Sequence, residues 1–163
     1  MALQGLVATG KVLQVLQTVK TDTFTSAVDE TFTDITGLSV AITPSSALNK
    51  ILVNVTLASG FRPGANAIMF RLVRDSTAIA IGDADGSRNR TTFGDAIVSN
   101  DSITNASITF LDSPSTTSAT TYKVQFYQDT PASAIFVNRT VTDSDIAAHQ
   151  RMISQITVTE IAG

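Results

Sequence analysis

The chain has no cysteine and no tryptophan, one histidine and four prolines in 163 residues. Without cysteine there is neither a disulfide nor a thiolate metal site, so the fold does not depend on an oxidising compartment. Charge is sparse too: Asp, Glu, Lys and Arg make up 15% of the residues, with a net charge of -3 and an isoelectric point near 4.9. That balance provides no general attraction for nucleic acid or for an anionic membrane. Long apolar runs are missing as well. Hydrophobic residues are 43% of the chain, yet Thr, Ser or Asn interrupts each run before it could span a bilayer, so no membrane insertion is expected. The opening MALQGLVATGK lacks the basic start and apolar stretch of a secretory leader, and the product is expected to be made in the cytoplasm.

What is abundant is threonine, about one residue in seven, together with Val and Ile, the residues that suit pleated, half-exposed surfaces. The expected strands are Lys11 to Val19, part of Thr23 to Phe32, Leu38 to Thr43, Lys50 to Ser59, Ala67 to Asp75 and Thr77 to Gly82, then Ala106 to Asp112, Thr120 to Gln128, Ser133 to Asn138 and Arg151 to Ile161. Alternation marks the core positions: Ile51, Val53, Val55 and Leu57; Ile68, Phe70 and Leu72; Phe110; Tyr122, Val124 and Phe126; Ile156 and Val158. Tyr122 and Tyr127 are an odd number of residues apart, so one ring faces inward and the other outward. Strands at this spacing, separated by turn residues, predict an all-β fold: an antiparallel β-sandwich of jelly-roll type. The expected organisation is a short N-terminal arm, residues 1–10, and one domain over residues 11–163.

Four segments carry a resemblance: GKVLQVLQTVKTDTF (Gly10 to Phe24), DITGLSVAITPSSALNKILV (Asp34 to Val53), RLVRDSTAIAIGDADGSRNR (Arg71 to Arg90) and SITFLDSPSTTSATTYKVQ (Ser107 to Gln125). With them the chain resembles a family of small β-rich structural proteins of tailed bacteriophages, of marine-phage type, described as tail-fibre or other virion components. The resemblance implies a place in the virion and release by host lysis. It also implies a homotrimer, other virion proteins as partners, and a host surface glycan or protein as a possible target. The shared pieces are framework strands and turns, so no catalytic signature comes with them. Three roles follow: tail-fibre or receptor-binding component, capsid decoration (cement) protein, and, least supported, glycan-cleaving enzyme.

No cofactor, metal site or catalytic residue is expected. Asp83, Asp85, Ser87 and Asn89 alternate around Gly86 in the manner of a calcium loop, but the closing Glu is absent and Arg88 and Arg90 bring positive charge. The stretch Gly82 to Asp101 reads instead as a surface loop, with Arg88, Asn89 and Arg90 as candidate binding residues and Tyr127 as a candidate exposed ring. The bland alternative has these arginines paired with Asp83, Asp85 or Asp95. His149 follows Asp143 and Asp145 but has no assigned nucleophile, and it is expected at the surface or an interface. The Asn-x-Ser/Thr triplets at Asn54, Asn89, Asn100, Asn105 and Asn138 reflect composition in a Thr/Ser-rich chain.

Overall fold

A computed structural model describes residues 10–61, 68–95, 101–129 and 134–163, and for Phe61 and Asp95 the backbone only. The strands are β1 (Val12–Lys20), β2 (Phe24–Ser26), β3 (Thr33–Ile42), β4 (Lys50–Phe61), β5 (Ile68–Arg74), β6 (Thr77–Ile79), β7 (Phe93–Asp95), β8 (Thr104–Asp112), β9 (Thr120–Gln128), β10 (Ile135–Val137) and β11 (Ser154–Ile161). There is no helix among the described residues. Sheet A has the order β1-β11-β4, with β8 on the far side of β4 and the short β10 and β2 continuing from the end of β4. Sheet B has the order β3-β9-β5, with β6 and β7 both on β5. Numbering the eight principal strands β1, β3, β4, β5, β7, β8, β9 and β11 in turn makes the sheets 1-8-3-6 and 2-7-4-5, the jelly-roll order.

The core lies between the sheets and follows the two-residue period. β9 reads buried, half-buried, buried throughout, with Tyr122, Val124 and Phe126 fully inside. β11 repeats this with Ser154, Ile156, Val158 and Glu160 inward, and β4 contributes Ile51, Val53, Val55 and Leu57. Phe24 meets Phe126 edge-on at 6.0 Å, and Phe70 stacks on Phe93 at 5.2 Å. One expected core residue differs: Phe110 is only half-buried, because β8 is the margin of sheet A and its inward side chains lie at the rim of the core.

At one end the two sheets are tied by a buried carboxylate. Asp112 on β8 accepts a 2.7 Å bond from the Tyr122 hydroxyl on β9 and bonds of 3.0 and 2.9 Å from Arg74 on β5. Burial first, then this hydrogen bond, pushes the Tyr122 hydroxyl well above the usual tyrosine range, so the phenol stays a donor. A second inward carboxylate, Glu160, accepts from Asn49 Nδ2 at 2.5 Å, Gln14 Nε2 at 2.6 Å, Ser45 N at 2.7 Å and Ser45 Oγ at 2.8 Å. It thereby fixes the β3–β4 connection against β1 and β11.

Strand ends depart from the sequence expectations for local reasons. β3 begins at Thr33, ahead of the expected Leu38, because a bulge with Gly37 at φ +82° reseats the chain so that both Ile35 and Leu38 turn inward. β6 stops at Ile79, where Ala80 takes a positive φ of 53°. β11 starts three residues later than expected, since Arg151 forms an isolated bridge with Arg139. The expected arm up to residue 9, and Ala67, Asn100 and Ser133, lie outside the described residues.

Candidate interaction surfaces

The outer face of sheet A is built by the residues that alternate with the core. Cross-strand pairing sets three rows: Val15, Thr159, Leu52 and Leu111; Gln17, Thr157, Asn54 and Thr109; Val19, Gln155, Thr56 and Ser107. None of these residues is charged. The middle row is a ladder of neutral bonds, Gln17 Nε2 to Thr157 Oγ1 at 3.0 Å and Thr109 Oγ1 to Asn54 Oδ1 at 2.7 Å. At one margin β1 exposes Val12, Leu13, Val15, Leu16 and Val19, between 39% and 56% each. At the other end a depression of about 590 Å³ lies between Thr56, Asn105 and Gln155 and the segment Arg151, Met152 and Ile153.

The outer face of sheet B is charged and internally satisfied. Asp34 accepts from Lys123 at 2.7 Å and from Gln125 at 2.6 Å, and Gln125 accepts from Arg71 Nε at 2.8 Å. Partial burial raises the Asp34 pKa, but the Lys123 and Gln125 bonds outweigh it and leave the carboxyl below its usual range. Arg71 lies over the Phe32 ring at 3.8 Å, and Phe32 packs against Tyr127 at 5.0 Å. Tyr127 is therefore on the outside, as its spacing from Tyr122 requires, and it is half-buried by this stack.

The Gly82 to Arg90 loop closes on itself. Arg88 pairs with Asp85, its amide donates to the Asp85 carbonyl at 3.2 Å, and Arg90 Nε donates to the Gly82 carbonyl at 2.6 Å. Asp85, the centre of the calcium-like ladder, is thus taken by Arg88, while Asp83 and Asn89 are exposed. The Gly82 to Asp101 stretch is not all loop, because β7 adds Phe93–Asp95 to sheet B, while residues 96–100 and the side chain of Asp95 lie outside what the structure describes. Four of the named candidates do not converge: Arg88, Asn89 and Arg90 share the loop, and Tyr127 belongs to the Phe32 stack.

His149 is not a surface side chain. Its ring is 6% exposed, with Nε2 at 3.4 Å from Asp101 Oδ1 and Nδ1 accepting from the Ser144 amide at 3.0 Å. Nδ1 also lies 3.1 Å from the Ser144 carbonyl oxygen. Beside it Asp143 pairs with Arg151 and, at 3.1 Å, with Arg139; the Arg151 bond and then the Arg139 charge hold it below the usual carboxylate range. A depression of about 350 Å³ adjoins Asp143, Asp145, Ile146 and His149. The ring is held by a backbone amide and a carboxylate, which locks the β10–β11 connection and provides no activated nucleophile.

Sequence reasoning missed the neutral outer face of sheet A, although its signal was present. The residues that alternate with the core on β1, β4, β8 and β11 are Val, Leu, Thr, Asn, Gln and Ser from one margin to the other, and Lys50 and Arg151 stand only at the ends of the strands.

No protein-family model and no curated protein matches the chain. Solved structures that match include infectious bursal disease virus of the Gt strain, at TM-score 0.49 and 10% identity over 94% of this chain; a mutant VP2 protein of that virus in derived T=1 particles, at 0.47 and 10% over 91%; and the Gx strain, at 0.39 and 14% over 94%. The chain spans about two-fifths of the length of these proteins, covering 40%, 38% and 41% of them respectively.

Proposed function

We infer that the protein is a non-enzymatic structural component of a virus particle, held in place by packing against neighbouring virion proteins. The observation that carries this reading is the outer face of sheet A: three neutral rows across four strands, ending at the β1 margin on the exposed Val15 and Val19. A charge-free face that carries Val15, Leu52 and Leu111 on its outward side offers a surface that a neighbouring protein can cover. The sequence resemblance to phage virion proteins supports the setting. Cementing of neighbouring subunits, the decoration role, makes direct use of a broad neutral face.

A tail-fibre or receptor-binding role is the second reading, and a separate observation favours it. The Phe32, Tyr127, Arg71, Gln125 and Asp34 cluster on sheet B presents aromatic edges beside fixed donors and acceptors, the chemistry that contacts a host glycan or protein. Self-association belongs to either reading. Antibody labelling of purified particles by electron microscopy separates them: label on the capsid supports decoration, label on the tail supports receptor contact. Purified particles that carry none of the protein would overturn both.

A further inference from the structure

β1 is paired with β11 along one edge, and no described strand pairs along its other edge. Soluble β proteins guard such an edge with a mid-strand charge, a proline, a bulge or a very short strand. β1 has none of these between Val15 and Val19: its register irregularity lies at Val12/Gln14, and its terminal Lys20 is buried and bonded to Asp22 at 2.8 Å. The neighbouring margin of sheet B is guarded, since β3 carries Asp34 and the Gly37 bulge. An open ladder of backbone donors and acceptors is thus flanked by apolar side chains on both faces.

The pattern on β1 says what fits there. On the outer face Val15, Gln17 and Val19 read the same in both directions. Two β1 strands laid antiparallel about a twofold axis at Gln17 bring Val15 opposite Val19, Gln17 opposite Gln17, and on the inner face Leu16 opposite Thr18 and Gln14 opposite Lys20. No like charges meet. A charge-free seam adds no local repulsion between two copies that each carry a net charge of -3. The same axis keeps the neutral face of each copy on one side of the joined sheet.

We propose that two copies of this chain pair β1 to β1, fusing their sheets A into one continuous antiparallel sheet. The pairing is twofold where the sequence resemblance implies three copies, and it stands whether or not the protein belongs to a virus particle. Because the chain has no cysteine, Gln17→Cys places a single thiol at the axis, where directly opposed Cβ atoms are about 5 Å apart, close to disulfide reach. Mild oxidation of that variant is expected to give a covalent dimer at least ten times faster than oxidation of Ser118→Cys, whose thiol lies in the exposed β8–β9 turn. In light scattering the unaltered chain is expected at twice its 17.2 kDa mass, and the double variant Val15→Lys, Val19→Lys at one copy with an unchanged fold by circular dichroism. A mass of one or three copies for the unaltered chain overturns the pairing. So does equal crosslinking of the two cysteine variants, a comparison that still decides the matter if the double lysine variant does not fold.

Discussion

The two outer faces of the sandwich are made of strands with the same alternation, yet their chemistry differs. On sheet A the outward rows are neutral and end on an unguarded apolar margin; on sheet B they hold Asp34, Lys123 and Arg71 in one bonded row. The core is indifferent to this choice, because every outward residue of either sheet could be exchanged without changing what lies between them. The outward residues therefore report what each face meets. A row of satisfied charges is comfortable in water, whereas a charge-free face of Thr, Gln, Asn and Ser with Val and Leu among them can be covered without stranding a charge.

The largest expected effects test the shared core beneath both faces. Phe126→Ala removes a ring with 0% exposure under sheet B, and the loss should be about 3–5 kcal/mol in urea unfolding. Phe110→Ala, at the half-buried rim under sheet A, should cost about 2 kcal/mol or less. Equal losses would show that β8 is packed as deeply as β9. Next comes the tie between the sheets: Asp112→Ala leaves the buried Tyr122 hydroxyl without its acceptor and should cost about 1–3 kcal/mol in the same measurement. A neutral result there would mean that the sheets are held by apolar contact alone.

Glu160 sharpens the comparison through pH. Burial raises its pKa, but the bonds from Asn49, Gln14 and Ser45 outweigh that and bring it down to about 2 from 4.5. A carboxyl whose pKa falls on folding contributes stability that is fully present above its unfolded pKa and is lost as pH drops from about 4.5 toward 2. The melting temperature of the unaltered chain should fall through that window. Glu160→Gln should be less stable at pH 7 and show a flatter acid limb, and an identical acid limb in both proteins would remove Glu160 from the account.

Much of this architecture was legible in residue order. The alternation of Ile51, Val53, Val55 and Leu57, and of Tyr122, Val124 and Phe126, identified inward faces because burial selects one parity and the period is fixed at two. Strand ends were less legible, since they depend on single backbone states such as Gly37 at φ +82° and Ala80 at φ +53°. β7 was hidden in a polar loop: a three-residue strand is too short for a period to show. The acceptor role of Glu160 is set by Asn49 and Gln14, which lie 111 and 146 residues away in the chain, so no local pattern could announce it. His149 was expected at the surface or an interface, and Asp101 and the Ser144 amide meet its ring from two separate connections.

The smallest expected effects are on the charged face and its loop. Asp34→Ala breaks bonds to Lys123 and Gln125 that are partly open to water, and it should cost less than about 1 kcal/mol, with the difference shrinking at high salt. The double change Arg88→Ala, Arg90→Ala should be smaller still, within about 0.5 kcal/mol, because both side chains are exposed and, among the described residues, their bonds stay within their own loop. Those internal bonds bear on binding as well. Arg88 must give up Asp85, and Arg90 the Gly82 carbonyl, before either could present its full fork to a target carboxylate or phosphate. The expectation is therefore that particles carrying the double variant adsorb to host cells nearly as well as unaltered ones, while Tyr127→Ala or Arg71→Ala, which dismantles the Phe32 stack, lowers adsorption if sheet B contacts the host. A large adsorption loss in the folded double-arginine variant, with none in Tyr127→Ala, would move host contact from the face of sheet B to the loop beside it.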